Sequence, residues 1–357
     1  MDKNEDLVWA PAPGHGPEVV YAVDGPLGRA RLNRPRTINA LDRASIDSLF
    51  QQLTTWAGGD SVSAVVLDGA GDRGLCAGGD VRALRESVLA GRHEEAVDYW
   101  RAEYGVNALV ADYPKPYVAW MDGIVMGGGV GVSAHGSLRV VTERTQLAMP
   151  ETIIGFFPDV GGLQLLAHAP GQLGTHVALT GTALGGADAL VLGAADVLLP
   201  ADAKEQVLGV LREDCAVSGD ELATAVGSGA RHSSGGSWLE ENRAWIDECY
   251  VGDDAGVILA RLSGHAEPAA REAASSIGAR SPHSVAVTLE AIRRAASMTV
   301  GQVLAQDLAL GPAFARHPDF AEGVRAQLVD KDRRPRWTHA SVADVSRAEV
   351  LRAFDGG

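Results

Sequence analysis

A glycine-rich stretch followed by two acidic residues contains the residue types that could do chemistry. Three glycines, Gly127–Gly129, follow an apolar run, and residues 130–135 after them are small and apolar enough for a tightly packed helix. A glycine turn that leads into a helix leaves backbone N–H groups without intrahelical partners, and such groups can hold an oxygen that becomes negative during a reaction. Glu151 and Asp159 follow, each directly after a proline. Oxyanion donors with acids close behind them indicate chemistry at a carbonyl group.

Both acids also have an ordinary structural interpretation. Asp159 is placed to cap a helix predicted over 160–168. For this residue taken alone, capping is as good an explanation as a catalytic role. Glu151 could be a first-turn helix residue whose charge complements the helix dipole.

Two other patterns resemble catalytic or cofactor motifs. Ser133 with His135 suggests a nucleophilic serine, but the sequence G-V-S-A-H-G does not match the G-x-S-x-G elbow, and we favour a structural role in the packed helix. Residues 69–74 match G-x-G-x-x-G after a strand, the fingerprint of dinucleotide binding. Another glycine turn, Gly78-Gly79, follows where the fingerprint requires a helix, so dinucleotide binding is not predicted.

The composition is typical of an enzyme that binds neither nucleic acid nor a metal and does not span a membrane. The net charge of −15 argues against nucleic acid as the main partner, and no run approaches the ~18 apolar residues of a membrane span. The three cysteines are too scattered for a disulfide framework or a zinc cluster, and the ten histidines have no metal-ligand spacing. The first twenty residues lack the apolar region of a signal peptide, so we expect a cytoplasmic protein.

Strands and helices alternate in the first half of the chain, which predicts an α/β fold with largely parallel strands. Strand, glycine turn and helix occur in this order at 64–89 and again at 116–135. The predicted elements are two strands within 18–33, a helix that starts at 39–42 with Ile46, Leu49, Phe50, Leu53 and Trp56 on its apolar face, a strand at 64–67, helices at 81–89 and 94–111, a strand at 116–121, a helical hairpin at 175–192 and a short strand at 194–199.

The second half of the chain is predicted to be helical. Helical patterns cover 202–213, 219–227, 236–250, 254–262, 267–277, 281–297 and 300–316. Ser228–Ser237 is predicted to be a flexible join. We therefore expect a flexible start at 1–17, an α/β core with the active site at 18–200, and a helical region at 201–357.

The combination of these segments resembles the crotonase (enoyl-CoA hydratase/isomerase) superfamily along almost the whole chain. The matching segments are LNRPRTINAL, GLCAGGDVRAL, KPYVAWMDGIVMGGGVG, AMPETIIGFFPDVGG and the helices from Ser281. Within the superfamily the chain is most similar to the 3-hydroxyisobutyryl-CoA hydrolases, through MGGGVGVSAHG, AMPETIIGFFPDVGG, RAEY at 101–104 and DFAEGVRAQLVDKDRRPRW at 319–337. The resemblance implies a spiral of ββα turns with a helical C-terminal region, and it leaves room for a homo-oligomer.

The resemblance also implies a substrate and a set of site residues. The substrate would be an acyl-CoA thioester whose carbonyl lies between two backbone N–H groups, which map to Gly79 and Gly128. Coenzyme A is then part of the substrate, and no separate cofactor is expected. Glu151 and Asp159 map to the catalytic acids of the hydrolases, and Glu103 in the RAEY segment maps to a glutamate that contacts substrate.

The reaction implied is hydrolysis of 3-hydroxyisobutyryl-CoA to 3-hydroxyisobutyrate and CoA, a step of valine catabolism. Hydratases of the superfamily use two glutamates, of which the first maps to Gly131 here, so ordinary hydration is less expected. An enoyl-CoA isomerase or hydratase is the alternative, and a non-enzymatic CoA-binding or scaffold protein is a distant third. The sequence leaves open whether Glu151 attacks the carbonyl or activates water.

Overall fold

The computed structural model describes residues 7–227 and 236–355 of the chain. The chain forms two compact units that alternate along the sequence. One, which we call the sheet unit, contains Met1–Gly79, Gly105–Leu147 and Leu184–Ser237. The other, the helical unit, contains Asp80–Tyr104, Ala148–Ala183 and Trp238–Gly357. The predicted domain boundaries at residues 18 and 201 stay a prediction.

The sheet unit is built on a six-stranded sheet with the order β1-β2-β3-β5-β7-β9 and a three-stranded sheet with the order β4-β6-β8. Strands β1 and β2 form an antiparallel hairpin, and the pairs from β2 to β9 are parallel. The strands are β1 (Val19–Asp24), β2 (Leu27–Leu32), β3 (Ala64–Gly69), β4 (Gly74–Cys76), β5 (Tyr117–Met121), β6 (Ile124–Met126), β7 (Leu138–Val141), β8 (Gln146–Ala148) and β9 (Val197–Leu198).

These strands follow the expected ββα repeat. Each repeat adds one strand to the large sheet, the next strand to the small sheet, and then a helical segment: β3-β4 with α2 (Val81–Leu89), β5-β6 with α4 (Gly128–Gly131), and β7-β8 with the 3₁₀ helix Glu151–Ile154. Strands β3 and β5 are mostly apolar because nearly all their residues are buried, as is usual in parallel sheets. The helices α8 (Lys204–Glu213) and α9 (Gly219–Ala225) cover part of this sheet, since Leu208, Leu211 and Leu222 share one core cluster with Val66 and Val118.

Helices account for most of the remaining described chain. They are α1 (Arg43–Gly58), α2 (Val81–Leu89), α3 (His93–Ala111), α4 (Gly128–Gly131), α5 (Gly162–Ala167), α6 (Leu173–Thr180), α7 (Gly186–Val191), α8 (Lys204–Glu213), α9 (Gly219–Ala225), α10 (Trp238–Glu241), α11 (Arg243–Cys249), α12 (Ala255–Gly264), α13 (Pro268–Gly278), α14 (Pro282–Ala295), α15 (Val300–Arg316), α16 (Pro318–Val324) and α17 (Arg347–Ala353). The α/β core and the helical C-terminal region are thus confirmed.

Several details differ from the sequence prediction. The helix after the glycine triplet has only four residues, and residues 132–135 form turns. Helix α1 begins after Asp42, whose side chain accepts a hydrogen bond from the Ser45 N–H at 2.8 Å. Phe50 does not lie on its buried face, because 46% of this residue is exposed.

Two predicted flexible segments fall partly outside the described residues. These are residues 1–6 of the predicted flexible start and 228–235 of the predicted join at Ser228–Ser237. Of the residues that follow the first gap, Ala10 pairs with Tyr21 of β1 through backbone hydrogen bonds of 2.8 and 3.0 Å.

Candidate active site

The two glycine turns predicted to bind an oxyanion meet within the sheet unit. A Cβ atom added to Gly78 would lie 3.2 Å from the Met126 carbonyl oxygen and 3.6 Å from the Gly128 nitrogen. A Cβ atom on Gly129 would lie 2.6 Å from the Cys76 carbonyl oxygen, closer than real Cβ atoms approach. Glycine is therefore required at both positions, because the two backbones pack directly against each other.

The segment before α1 holds the first of these turns in place. The Asn39 side chain donates to the carbonyl oxygens of Ala70 and Gly74, at 3.0 and 3.1 Å. The Leu41 N–H donates to the Gly78 carbonyl at 2.8 Å. Asn39 has a left-handed backbone, φ 55°, which asparagine tolerates better than most residues. Asn39, which was predicted to start a helix, thus fixes the turn at residues 69–74, and Leu41 fixes the turn at Gly78.

Both amide groups predicted as oxyanion donors are available. Within residues 7–227 and 236–355, the N–H groups of Gly79 and Gly128 donate to no acceptor. Gly128 is the first residue of α4, so its N–H lies among the first four that a helix leaves without an internal partner. Helix α4 is too short for a substantial dipole, and the donor property comes from the amides themselves. Their role in binding a carbonyl stays a prediction.

The helical unit contains a cluster of four buried carboxyl groups, which we call the acid cluster. Glu103 lies on α3, Glu151 begins the 3₁₀ helix, Asp159 lies in the turn before α5, and Asp307 lies on α15. Their exposed fractions are 3%, 6%, 6% and 0%. The charge of Asp159 acts on each of the other three, and no cation among the described residues is a main cause of any of their pKa shifts. The acid cluster is therefore uncompensated.

A side-chain donor stabilises the carboxylate form of Asp159. Burial raises the pKa of Asp159 to about 7, while the Tyr104 hydroxyl, which donates to Asp159 Oδ2 at 2.8 Å, opposes this rise by stabilising the carboxylate. Burial, and then the charge of Asp159, raise the pKa values of Glu151 and Glu103 well above the ordinary range. The carboxyl groups of the acid cluster therefore release their protons at higher pH than ordinary carboxyl groups do, a property that suits acid–base catalysis.

Some oxygens of the acid cluster have no hydrogen-bond partner. Glu103 Oε1, Glu151 Oε2 and Asp307 Oδ1 are all buried and unpartnered among the described residues. An unpaired buried polar atom is costly, and in native proteins it often marks a catalytic role. Both predicted catalytic acids and the predicted substrate-binding Glu103 thus lie in one cluster, although their roles stay predictions.

The structural interpretation of Asp159 is wrong. Gly161 occupies the N-cap position of α5, and no side chain caps that helix. Glu151 does begin a helical turn, as its structural interpretation predicted, but its pKa is raised, whereas a charge stabilised by a helix dipole would have a lowered one.

The other two motif-like patterns have structural explanations. The Ser133 hydroxyl is fully buried and donates to the Gly129 carbonyl at 2.6 Å, so it acts within its own turn. Residues 69–74 lead into strand β4 rather than into a helix, which agrees with the rejection of a dinucleotide fingerprint.

Sequence analysis missed Asp307 and did not single out Tyr104. A usable signal was present for Asp307, because it lies on the apolar stripe of α15, with Leu304 three residues before it and Leu310 three residues after it. A carboxyl group at a core position of an amphipathic helix rarely lies there without a specific role.

A second polar cluster in the helical unit involves His283, His317 and Glu349. One potential ligand atom from each lies within 4.8 Å of the others. The two histidine rings are stacked with centroids 4.0 Å apart and planes at 9°, so their lone pairs lie in two separate, nearly parallel planes and do not converge on one metal position. His283 Nδ1 instead forms a 3.0 Å hydrogen bond with Glu349 Oε1. We interpret the cluster as a hydrogen-bonded stack.

None of the helices in the described ranges is long and apolar enough to cross a membrane.

Known proteins resemble the chain over nearly its full length. The model of a family described as enoyl-CoA hydratase/isomerase matches residues 27–354. A mitochondrial 3-hydroxyisobutyryl-CoA hydrolase from Rattus norvegicus is 38% identical over 345 residues, which cover 94% of this chain and 88% of the relative.

Two solved structures are similar in both sequence and fold. One, named a carnitinyl-CoA dehydratase from Mycobacterium thermoresistibile, is 46% identical with a TM-score of 0.88 and covers 95% of this chain and 96% of its own. The other, named an enoyl-CoA hydratase from Rhodobacter sphaeroides, is 36% identical with a TM-score of 0.87 and covers 94% of this chain and 97% of its own.

Proposed function

We propose that this chain, which belongs to the enoyl-CoA hydratase/isomerase family, hydrolyses acyl-CoA thioesters and that 3-hydroxyisobutyryl-CoA is its substrate. The observation that carries the proposal is the pairing of Glu151 and Asp159 in the uncompensated acid cluster, with raised pKa values for both. The name of the rat relative supports the same reaction and substrate.

Thioester hydrolysis requires three contributions that the proposed site residues can make. Water adds its oxygen to the acyl carbon, the C–S bond breaks, and the sulfur leaves as a thiol. The Gly79 and Gly128 N–H groups would bind the carbonyl oxygen as it becomes negative, and removal of one such donor typically costs ~10²–10³-fold in turnover. A base must accept a proton from water, and an acid must donate one to the departing sulfur.

The contacts of the acid cluster favour one assignment of these roles. The hydrogen bond from the Tyr104 hydroxyl favours the carboxylate of Asp159, which fits the base, whereas burial and the charge of Asp159 favour the protonated form of Glu151, which fits the acid. The alternative route, in which Glu151 attacks the carbonyl and forms an anhydride, requires the charge to lie on Glu151 instead. Glu103 would contact the substrate in either route.

Hydration or dehydration of an enoyl-CoA is the second candidate function. The names of the two solved relatives favour it, and one of these relatives is 46% identical. The chain has Gly131, which ends the short helix α4, at the position where the resemblance places the first acid of a hydratase. A hydratase would then have to use a second acid from the acid cluster, for which Glu103 is the available glutamate.

Thiol release separates these candidates. The purified protein is incubated with 3-hydroxyisobutyryl-CoA, crotonyl-CoA or carnitinyl-CoA, and free CoA is followed with a thiol reagent while the enoyl absorbance is recorded. We expect stoichiometric free CoA from 3-hydroxyisobutyryl-CoA and little change with the other two. Enoyl absorbance changes without thiol would support the hydratase or dehydratase function, and binding without either change would support a scaffold.

Location and assembly are part of the proposal. We propose a cytoplasmic enzyme, although the rat relative is named mitochondrial, and the family resemblance leaves room for a homo-oligomer. Fractionation of cells and light scattering of the purified protein test these two points.

A further inference from the structure

Asp307 is the one carboxyl group of the acid cluster to which sequence analysis and the family resemblance assigned no role. It is completely buried on α15 between Leu304 and Leu310, which are 5% and 0% exposed. An apolar residue would satisfy the packing of this helix face, whereas a carboxyl group there has to be desolvated. Asp307 therefore requires a reason other than packing.

The contact that Asp307 makes supplies this reason. Asp307 Oδ2 accepts a hydrogen bond from the Gly161 N–H at 2.9 Å, across 146 residues of sequence. Gly161 lies two residues after Asp159, in the turn that carries this catalytic candidate. The turn has two consecutive left-handed residues, Val160 with φ 54° and Gly161 with φ 74°. A β-branched residue is strained in this conformation, which persists only when surrounding contacts hold it.

We propose that Asp307 is a positioning residue of the reaction, which fixes the Asp159 turn through the Gly161 N–H. This proposal rests on the proposed function of Asp159. Two hydrogen bonds hold Asp159 and its turn. Asp307 Oδ2 accepts from the Gly161 N–H and holds the turn, and the Tyr104 hydroxyl donates to the Asp159 carboxylate and orients it. Burial, and then the charge of Asp159, raise the pKa of Asp307 well above its ordinary range, which favours the neutral acid. The role that we propose needs only an acceptor oxygen, and the amide of asparagine can supply one.

Two substitutions separate this role from packing and from charge. Asp307→Asn keeps the acceptor and removes the acid, so we expect kcat within about threefold of wild type. Asp307→Leu removes the acceptor, and we expect kcat to fall ~10–100-fold with KM little changed, because small misplacements of a reacting group are costly. If the leucine variant does not fold, Asp307→Ala makes the same comparison. Gln306→Leu, on the same helix and 8% exposed, is the matched control for loss of a buried polar group.

A measurement that does not use activity accompanies the kinetics. The pKa of Asp159 is read from the ¹³C resonance of its carboxyl group during a pH titration of each labelled variant. In Asp307→Leu we expect this pKa to fall toward its ordinary value as the turn relaxes toward water, whereas Asp307→Asn and Gln306→Leu should leave it unchanged.

Three results would overturn the inference. These are an Asp307→Leu protein with an unchanged Asp159 pKa or wild-type kcat, an Asp307→Asn protein as impaired as the leucine variant, and a Gln306→Leu protein equally impaired. If the wild-type protein releases no thiol from any CoA ester, the proposed function fails, and the carboxyl titration then decides the inference alone.

Discussion

Two buried aspartates, Asp68 and Asp159, show opposite solutions to the same electrostatic problem. Asp68 on β3 is fully buried and forms ion pairs with Arg29 at 3.1 Å, Arg31 at 2.6 Å and Lys204 at 2.9 Å. Burial alone would raise its pKa, but Lys204 and Arg31 lower it far below the ordinary range. Asp159 is almost as buried, but no cation in the described part of the chain compensates it, and burial raises its pKa to about 7.

The difference separates structural acids from functional ones. A buried carboxylate with several cations stays charged at every working pH, so it can stabilise the fold but cannot exchange protons. A buried acid without cations titrates near neutral pH, which costs stability and suits proton transfer. The sheet unit contains the first kind at Asp68, and the helical unit contains the second kind in the acid cluster.

The largest effect is expected from Glu151→Gln. Glutamine keeps the shape of the side chain but can neither attack a carbonyl nor exchange a proton, so thiol release should fall at least about 10³-fold. Binding of the CoA ester, measured by calorimetry, should change little. Near wild-type turnover of this variant would show that Glu151 takes no part in the reaction. The acid cluster would then not differ in function from the structural acid Asp68.

Asp68→Asn should affect the stability of the fold rather than the reaction. Among the described residues, the substitution leaves the fully buried Arg29 with one ion pair, to Asp24 at 3.4 Å, and with asparagine in place of the Asp68 charge. We expect a loss of about 3–5 kcal/mol in the free energy of unfolding, measured by urea denaturation at pH 7.5, since an uncompensated charge remains in the core.

The matched control for this experiment is Asp47→Asn. Asp47 pairs with Arg43 on the surface of α1, where both side chains are about half exposed. Its loss should cost less than about 1 kcal/mol. Equal effects of the two substitutions would mean that the buried ion pairs of Asp68 stabilise the fold no more than one surface ion pair does.

Gly128→Val extends the comparison from acceptors to donors. Among the described residues the Gly128 N–H is a donor without an acceptor, just as Glu103 Oε1 and Glu151 Oε2 are acceptors without donors. A valine side chain would obstruct the thioester and displace the donor, and turnover should fall ~10²–10³-fold in a folded protein. Undiminished thiol release would exclude Gly128 from the oxyanion site. Gly209→Val in helix α8, where an added Cβ meets no atom within 4 Å, is the control.

A smaller change should follow Tyr104→Phe. The tyrosine hydroxyl lowers the pKa of Asp159 by donating to its carboxylate, so its removal should raise that pKa. If Asp159 is the base, the acid limb of the profile of kcat/KM against pH moves to higher pH, by less than about one unit. A shift in the other direction would contradict the assignment of Asp159 as the base.

Local patterns predicted most of the elements. Helix α2 has the bounds 81–89 that its apolar spacing predicted, and β1, β2, β3 and β5 lie where alternating or apolar runs placed them. The small sheet was missed because β4, β6 and β8 have three residues each, too few for a periodic signal. Their pairing is set by the ββα repeat rather than by local propensity.

The candidate site could be predicted only in part. Gly79, Gly128, Glu103, Glu151 and Asp159 were predicted because sequence motifs surround them. Asp307 has no such motif, and its contact with Gly161 depends on how α15 packs against a turn 146 residues earlier in the chain. The stacking of His283 on His317 could not be predicted from the sequence either, because their spacing of 34 residues fits no helical or strand period.

The measurement that tests the account most directly is the activity and stability of Asp159→Asn in the same preparations. Between its ordinary value of 3.8 and about 7, Asp159 holds its proton in the folded protein but not in the unfolded one. Stability therefore falls as pH rises through this window, and asparagine removes the cost. We expect the variant to be more stable than wild type at pH 8, by roughly 4 kcal/mol at most, with no gain below about pH 4. Its thiol release should fall at least about 10²-fold. Full activity, or a stability difference that does not change with pH, would contradict the account.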